Sequence, residues 1–217
     1  MRESGIVVDH QTTLLSQRSA FSDRSDTANW AQALLALRRN VSPRRLETPG
    51  PDTTQLLAMM QAAATAPDHG LLTPWHFVLI PASGRRPLAN AFASALIERD
   101  PSATQVQLEA AAEKAHRAPC LLLAVAHLDD GSSGVSTSER LISLGCAVQN
   151  VLLSATAHCF GSGLTSGRSL QSDAIRTLFN LRSDEQAICF IAIGTTALIK
   201  PPRHRPNASA LLRTFIG

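Results

Sequence analysis

Apolar and polar positions change period several times along this chain, and each change marks an element. From Thr27 to Arg39, the residues Ala31, Leu34, Leu35 and Arg38 recur at helical spacing, with Thr27 or Asn29 placed to cap the start. Pro43, Pro49 and Pro51 then break the chain into an extended loop. Leu56, Leu57, Met60 and Ala63 or Ala64 share one face of a second helix over 53–65, which Asp52, Thr53 or Thr54 can cap. A loop over 66–74 leads into a strand over 75–80. Helices are predicted over 84–99 and 104–116. Pro119 followed by the unbroken apolar run Cys120–Ala126 predicts a buried strand.

A loop of Asp, Gly and Ser over 129–136 precedes a long helix from Thr137 to His158 that is apolar on most sides. A helix of that kind is buried in a core or an interface. A short extended piece after Gly161, a helix over 171–180 and a strand over 187–194 complete the pattern. The tail from 198 is rich in Pro and Arg and ends in Leu211-Leu212-Arg213-Thr214-Phe215-Ile216. Residues 1–27 are polar, without sustained periodicity, and read as a flexible extension to one domain over 28–217. Alternating helices and apolar strands predict an α/β or α+β sandwich.

Composition narrows the function classes. A chain of 217 residues suits one or at most two domains, and a hydrophobic fraction of 44% with 17% charged residues is ordinary for a soluble protein. There is no Tyr, which argues against an aromatic platform for nucleic acid. The net charge of +3 is scattered, apart from Arg38, Arg39, Arg44 and Arg45 and a second group at Lys200, Arg203, His204 and Arg205. Each group suits either a solvated surface or an anionic small ligand. Cys120, Cys146, Cys159 and Cys189 show no C-x-x-C spacing and read as small buried hydrophobes in a reducing compartment. Histidine spacing predicts no metal site. No apolar stretch reaches the length expected of a membrane helix, so the expectation is a cytoplasmic protein that binds neither membrane nor nucleic acid.

Familiar catalytic signatures are absent. Gly161-Ser162-Gly163-Leu164-Thr165-Ser166-Gly167 lacks the glycine spacing of a dinucleotide fingerprint and follows a helix rather than a strand. Its second half mimics a nucleophile elbow with Thr in the central place. Two other segments carry more. Arg38-Arg39-Asn40 puts two planar guanidinium forks beside a neutral donor, a set suited to phosphate as well as to a solvated helix end. Ala66-Pro67-Asp68-His69-Gly70-Leu71-Leu72-Thr73-Pro74-Trp75-His76-Phe77 places His69 in a loop stiffened by proline at both ends.

In this order the two segments resemble the nitroreductase family, especially its compact bacterial members, which carry R-R-S and then A-P-D-H-x4-P-W-x-F. Arg117-Ala118-Pro119 before an apolar strand, Gly145-Cys146-Ala147-Val148-Gln149-Asn150-Val151-Leu152-Leu153-Ser154-Ala155 as a helix, and Gly194 before the basic tail extend the resemblance over residues 30–217.

The resemblance implies an α+β fold with a mixed β-sheet flanked by helices, an intertwined homodimer, and FMN bound at the subunit interface with NAD(P)H as electron donor. It implies reduction of a nitroaromatic, quinone or similar small-molecule acceptor, with no catalytic side chain. Arg38 and Arg39 would contact the phosphate and pyrimidine side of FMN, with Asn40 in the place usually held by Ser. His69 would lie near the cofactor, Leu164, Thr165 and Ser166 would line the flavin, and Arg203 or Arg205 would complete the phosphate site. The chain departs from its compact relatives at Thr65, Thr73 and Leu164-Thr165, where they carry Arg, Gln and Trp-Arg. Those departures leave open another flavin reaction of the family (dehydrogenation, dehalogenation, flavin fragmentation) or a non-catalytic dimer.

Overall fold

The computed structural model describes residues 24–128, 131, 134–196, 201 and 204–216. The chain divides into two compact units, Met1–Arg38 and Arg39–Gly217. In the first, helix α1 spans Arg24–Leu37 and starts three residues before the expected Thr27, with Asp26 in its first turn. The expected boundary between extension and domain therefore falls inside a helix, and the rest of the expected extension lies outside the described residues. Arg38 follows α1 and donates its backbone N–H to Leu34 O at 3.1 Å.

The second unit is built on a four-stranded sheet. Its strands are β1 (Trp75–Leu79), β2 (Cys120–His127), β3 (Gly161–Thr165) and β4 (Glu185–Gly194). Their spatial order is β1-β2-β4-β3, and every neighbouring pair is antiparallel. Among the described residues, the expected mixed sheet is realised only through a single parallel bridge between Asn40 and Ser162, outside the named strands.

Helices cover both faces. On one side lie α2 (Thr53–Ala64) and α5 (Thr137–Ala157), which enclose Met59, Leu122, Ala124, Leu144, Val151 and Ile191. On the other lie α3 (Ala82–Arg99), α4 (Gln105–Ala112) and α6 (Asp173–Leu178), around Leu88, Leu123, Val125, Ile175 and Phe190. β2 is therefore buried on both faces, which is why it reads as a continuous apolar run instead of an alternating one.

Local chemistry fixes the helix starts. Asp52 with Gln55, Thr104 with Gln107, and Ser136 with Glu139 each form a reciprocal capping box at the heads of α2, α4 and α5. The helix expected over 104–116 stops at Ala112 and tightens into a 3-10 turn over Glu113–His116. Arg85 from α3 secures the following crossing into β2. Its buried guanidinium donates to Ala115 O at 2.9 Å, Arg117 O at 3.3 Å and Pro119 O at 3.3 Å, and burial holds its pKa below the ordinary arginine value.

Two expectations change. Helix α5 is long and apolar enough, by length and composition, to cross a membrane, yet Leu144, Ala147, Val148, Val151, Leu152 and Ala155 line its core side against the sheet. Cys159 is exposed, whereas Cys120 and Cys189 are buried, with burial pushing both thiols up to about 11.

Candidate functional site

The segment after Arg38 folds back as a strap along β3. Val41 N donates to Ser162 O at 2.8 Å, and the Asn40 side-chain Oδ1 accepts from Leu164 N at 3.2 Å. Close approach is possible because residue 163 is glycine: a Cβ there would sit 2.1 Å from Val41 O. The strap closes a second time farther on, where Glu47 and Thr195 exchange backbone hydrogen bonds of 2.8 and 2.9 Å. Thus the residues that resembled a dinucleotide fingerprint are a strand, and its glycine admits a neighbouring backbone.

Burial changes abruptly along β3. Gly161, Ser162 and Gly163 are buried, whereas Leu164 and Thr165 are exposed, as are Ser166 and Gly167 beyond them. Ser162 is 1% exposed, and its Oγ has no hydrogen-bond partner. Beside the exposed end lies a cavity of about 150 Å³, with Phe92, Leu121, Leu170 and Phe190 as apolar walls and Lys114, Arg117, Thr165 and Ser166 as polar ones. A groove of about 390 Å³ adjoins it through Gly167 and Ser169 and adds Arg44, Arg99 and Arg168. The end of β3 thus faces cationic side chains and apolar walls, chemistry suited to a flat anionic ligand.

The loop over 66–74 is built differently. Gly70, Leu71 and Thr73 all take left-handed φ values of 66°, 56° and 45°. For a non-glycine residue that conformation costs about 1–2 kcal/mol. The Asp68 carboxylate accepts the Thr73 N–H and steadies the turn. Pro74 is fully buried, and the Trp75 indole donates to Ser143 Oγ on α5 at 2.9 Å in a buried hydrogen bond. His69 is engaged from outside the loop, with its Nδ1 3.0 Å from Glu139 Oε1 on the first turn of α5. That hydrogen bond, followed by those from Ser136, holds the Glu139 carboxyl below its usual range. The loop's tip presents Leu71, 89% exposed.

Within one chain the expected site residues fall into separate groups. Arg39 and Asn40 join Leu164, Thr165 and Ser166 at the β3 edge. His69 lies in the loop leading into β1, the opposite edge strand, which is three strand spacings or about 14 Å from β3. Arg38 belongs to the other unit. Arg205 is exposed in the tail, and Arg203 lies outside the described residues.

One cluster escaped the sequence reading. His76 Nδ1 on β1 lies 2.8 Å from His127 Nε2 at the end of β2, which lies 3.4 Å from Glu185 Oε1 at the start of β4. Burial, ahead of the neighbouring His76, holds the His127 imidazole below the ordinary histidine value, against the pull of Glu185. The three residues share no sequence spacing rule, and only strand register could have united them.

Comparison with known proteins gives a consistent result. The Nitroreductase family profile matches residues 37–195. A Haemophilus influenzae protein named "Putative NAD(P)H nitroreductase" is 33% identical over 163 residues, 75% of this chain and 88% of that one. Escherichia coli K12 "Putative NAD(P)H nitroreductase YdjA" is 32% identical over 171 residues, 77% and 89% of the two chains. Among solved structures, a nitroreductase-like family protein from Bacillus cereus superposes with a TM-score of 0.73 at 17% identity, covering 85% of this chain and 95% of that one. The FMN-dependent nitroreductase NfnB from Mycobacterium smegmatis, solved with NADPH, gives 0.66 at 18% identity, covering 87% and 99%. These structures share the α+β fold described above.

Proposed function

The chain belongs to the nitroreductase family, and from that premise we propose that it is an FMN-dependent NAD(P)H oxidoreductase acting as a cytoplasmic homodimer on electron-poor small molecules. The observation that carries the reading is the β3 edge, where Asn40 and the exposed Leu164–Ser166 stretch stand together beside cationic side chains.

The residues present fit the cofactor. Arg39 and Arg205, and Arg38 by the resemblance, would supply forks suited to a phosphate, and the exposed Thr165 and Ser166 would supply hydroxyls for a polar ring edge. Phe92, Leu121 and Phe190 supply the apolar walls of the adjoining cavity. Bound there, FMN would supply two-electron redox chemistry between NAD(P)H and a nitroaromatic, quinone or similar acceptor, the ping-pong scheme expected of the family. The protein's part is to bind, to exclude water and to set positive charge beside a group that gains electrons. No side chain needs to act as nucleophile or general acid.

Two observations support the homodimer. The described linings of the cavity of about 150 Å³ and of the adjoining groove of about 390 Å³ include no residue of the 66–74 loop. The loop carrying His69 lies on the wrong edge to complete it, so the loop of a second copy is the natural supplier. Exposed apolar residues sit where a partner would be needed, with Leu141 and Ile142 on α5 and Leu211, Leu212, Phe215 and Ile216 in the tail.

The test is direct. Purified protein is expected to be yellow, to release FMN on denaturation and to bleach anaerobically with NADH or NADPH. A colourless protein that cannot be reconstituted with FMN sinks the reading. Arg38→Ala and Arg205→Ala are each expected to weaken FMN retention by about 10-fold or more, the scale of a lost charge-assisted hydrogen bond. Unchanged affinity in both variants would overturn the phosphate assignment.

A further inference from the structure

We propose that His76, His127 and Glu185 form a binding site for one divalent cation of the zinc class, which clips β1, β2 and β4 together at one end of the sheet. Zinc bound tetrahedrally at about 2.0–2.1 Å sets its ligand atoms roughly 3.3 Å apart. The separations here bracket that value: 2.8 Å between His76 Nδ1 and His127 Nε2, 3.4 Å between His127 Nε2 and Glu185 Oε1, and 4.0 Å between His76 Nδ1 and Glu185 Oε1. Small rotations of the two rings close the set.

A specific irregularity of the sheet produces this convergence. Ala124 opposes Cys189, but the next residue, Val125, opposes Ala187, so Ile188 is an extra residue bulged out of β4. Above the bulge the odd-numbered residues Cys189, Ile191 and Ile193 face α2 and α5. Below it the parity inverts, and Ala187 faces the other core with Val125 and Leu123. Glu185, opposite His127 in the register, follows Ala187 onto that side, where His76, opposite Val125, also points. Bulges commonly re-aim side chains in this way. Were Ile188 paired with Val125 in a regular ladder instead of bulged, Gln186 would oppose His127 and Glu185 would fall on the α5 side, so the three groups could not meet.

The surroundings suit a cation. Glu185 Oε2 accepts the Arg182 N–H at 2.9 Å, which fixes the carboxylate and leaves Oε1 toward the rings. The Arg182 guanidinium lies 3.7 Å from Oε1, yet its fork is engaged by both Asp184 oxygens at 2.9 and 2.8 Å, so Asp184 offsets its charge. That same hydrogen bonding pushes Asp184 down to about 2. The His76 side chain is 41% exposed and leaves a path for water to a fourth position. Two imidazoles and one carboxylate favour zinc, cobalt or nickel over magnesium or calcium, which prefer all-oxygen shells.

The experiment uses chelator-treated full-length protein, titrated with Zn²⁺ by calorimetry and with Co²⁺ by visible absorption, beside His76→Gln, Glu185→Gln and a Cys159→Ser control. One ion per chain, a cobalt spectrum without thiolate charge transfer, and a melting temperature raised by Zn²⁺ are expected for the parent and for Cys159→Ser. Each ligand variant is expected to lose at least the roughly 10–100-fold in affinity that removal of outer-shell partners alone causes. Absence of stoichiometric uptake by the parent, thiolate ligation, or unchanged affinity in the ligand variants would each overturn the site. Should Glu185→Gln fail to fold, the half-exposed His76→Gln and the parent's cobalt spectrum still decide. None of these readouts depends on flavin.

Discussion

The two edges of the sheet are finished in opposite ways. At the β3 edge the chain's own strap lies down beside Ser162 and Leu164, and a glycine makes room for it. At the β1 edge no strand pairs with the outer side among the described residues, and the neighbouring loop spends left-handed backbone to present Leu71 to solvent. One edge is satisfied within the chain, and the other keeps apolar surface and conformational cost that one chain does not use. The difference teaches where a shared site would be assembled, with the closed edge supplying a fixed seat and the open edge supplying what reaches across.

The sharpest way to break this contrast is Gly163→Ala. The added methyl would collide with Val41 O at 2.1 Å, so either strand or strap must move, with an expected loss of about 3 kcal/mol in urea unfolding and a loss of bound flavin. A variant as stable as the parent would show that the β3 edge is not held by the strap. Trp75→Phe probes the other edge. It leaves Ser143 Oγ, in a residue only 3% exposed, without its indole donor, at a cost of about 1–3 kcal/mol, read as a lower urea midpoint at unchanged m-value.

The smallest effect expected is one of pH. His127 has a folded-state pKa depressed below 6.5, chiefly by burial, so the unfolded chain binds the proton more readily. Stability is therefore fully present above 6.5 and declines as pH falls through the folded value. His76, Glu185, Arg182 and Asp184 face the same ring and shape the window. Urea midpoints measured with chelator present should show this slope, and His127→Gln should flatten it. β3 itself carries no titratable side chain.

Much of the fold was legible because burial on two faces leaves a plain trace. The run in β2 and the helical spacing of α2 and α5 gave those elements within one or two residues. The long apolar helix hid a division of labour, since periodicity cannot tell a core-facing leucine from Ile142, which is 65% exposed. The candidate site was legible only as a list of residues. Asn40 and Leu164 are 124 positions apart, and nothing local says that they hydrogen-bond. His76, His127 and Glu185 were invisible because a single extra residue in β4 decides which way the carboxylate points, and hydropathy cannot register one bulge.

The strap has a consequence for how the protein is made. Its first contacts join Asn40 to Leu164, and its last joins Thr195 Oγ1 to Pro49 O, 146 positions apart. A ribosome releases the strap early and its docking surface late, so nearly the whole second unit must emerge before the edge can close. Pairings across such separations form late in folding because the chain is ordered before the contact repays it. Until then the backbone of β3 lies open, and a nascent chain has the same edge to offer to any neighbouring copy.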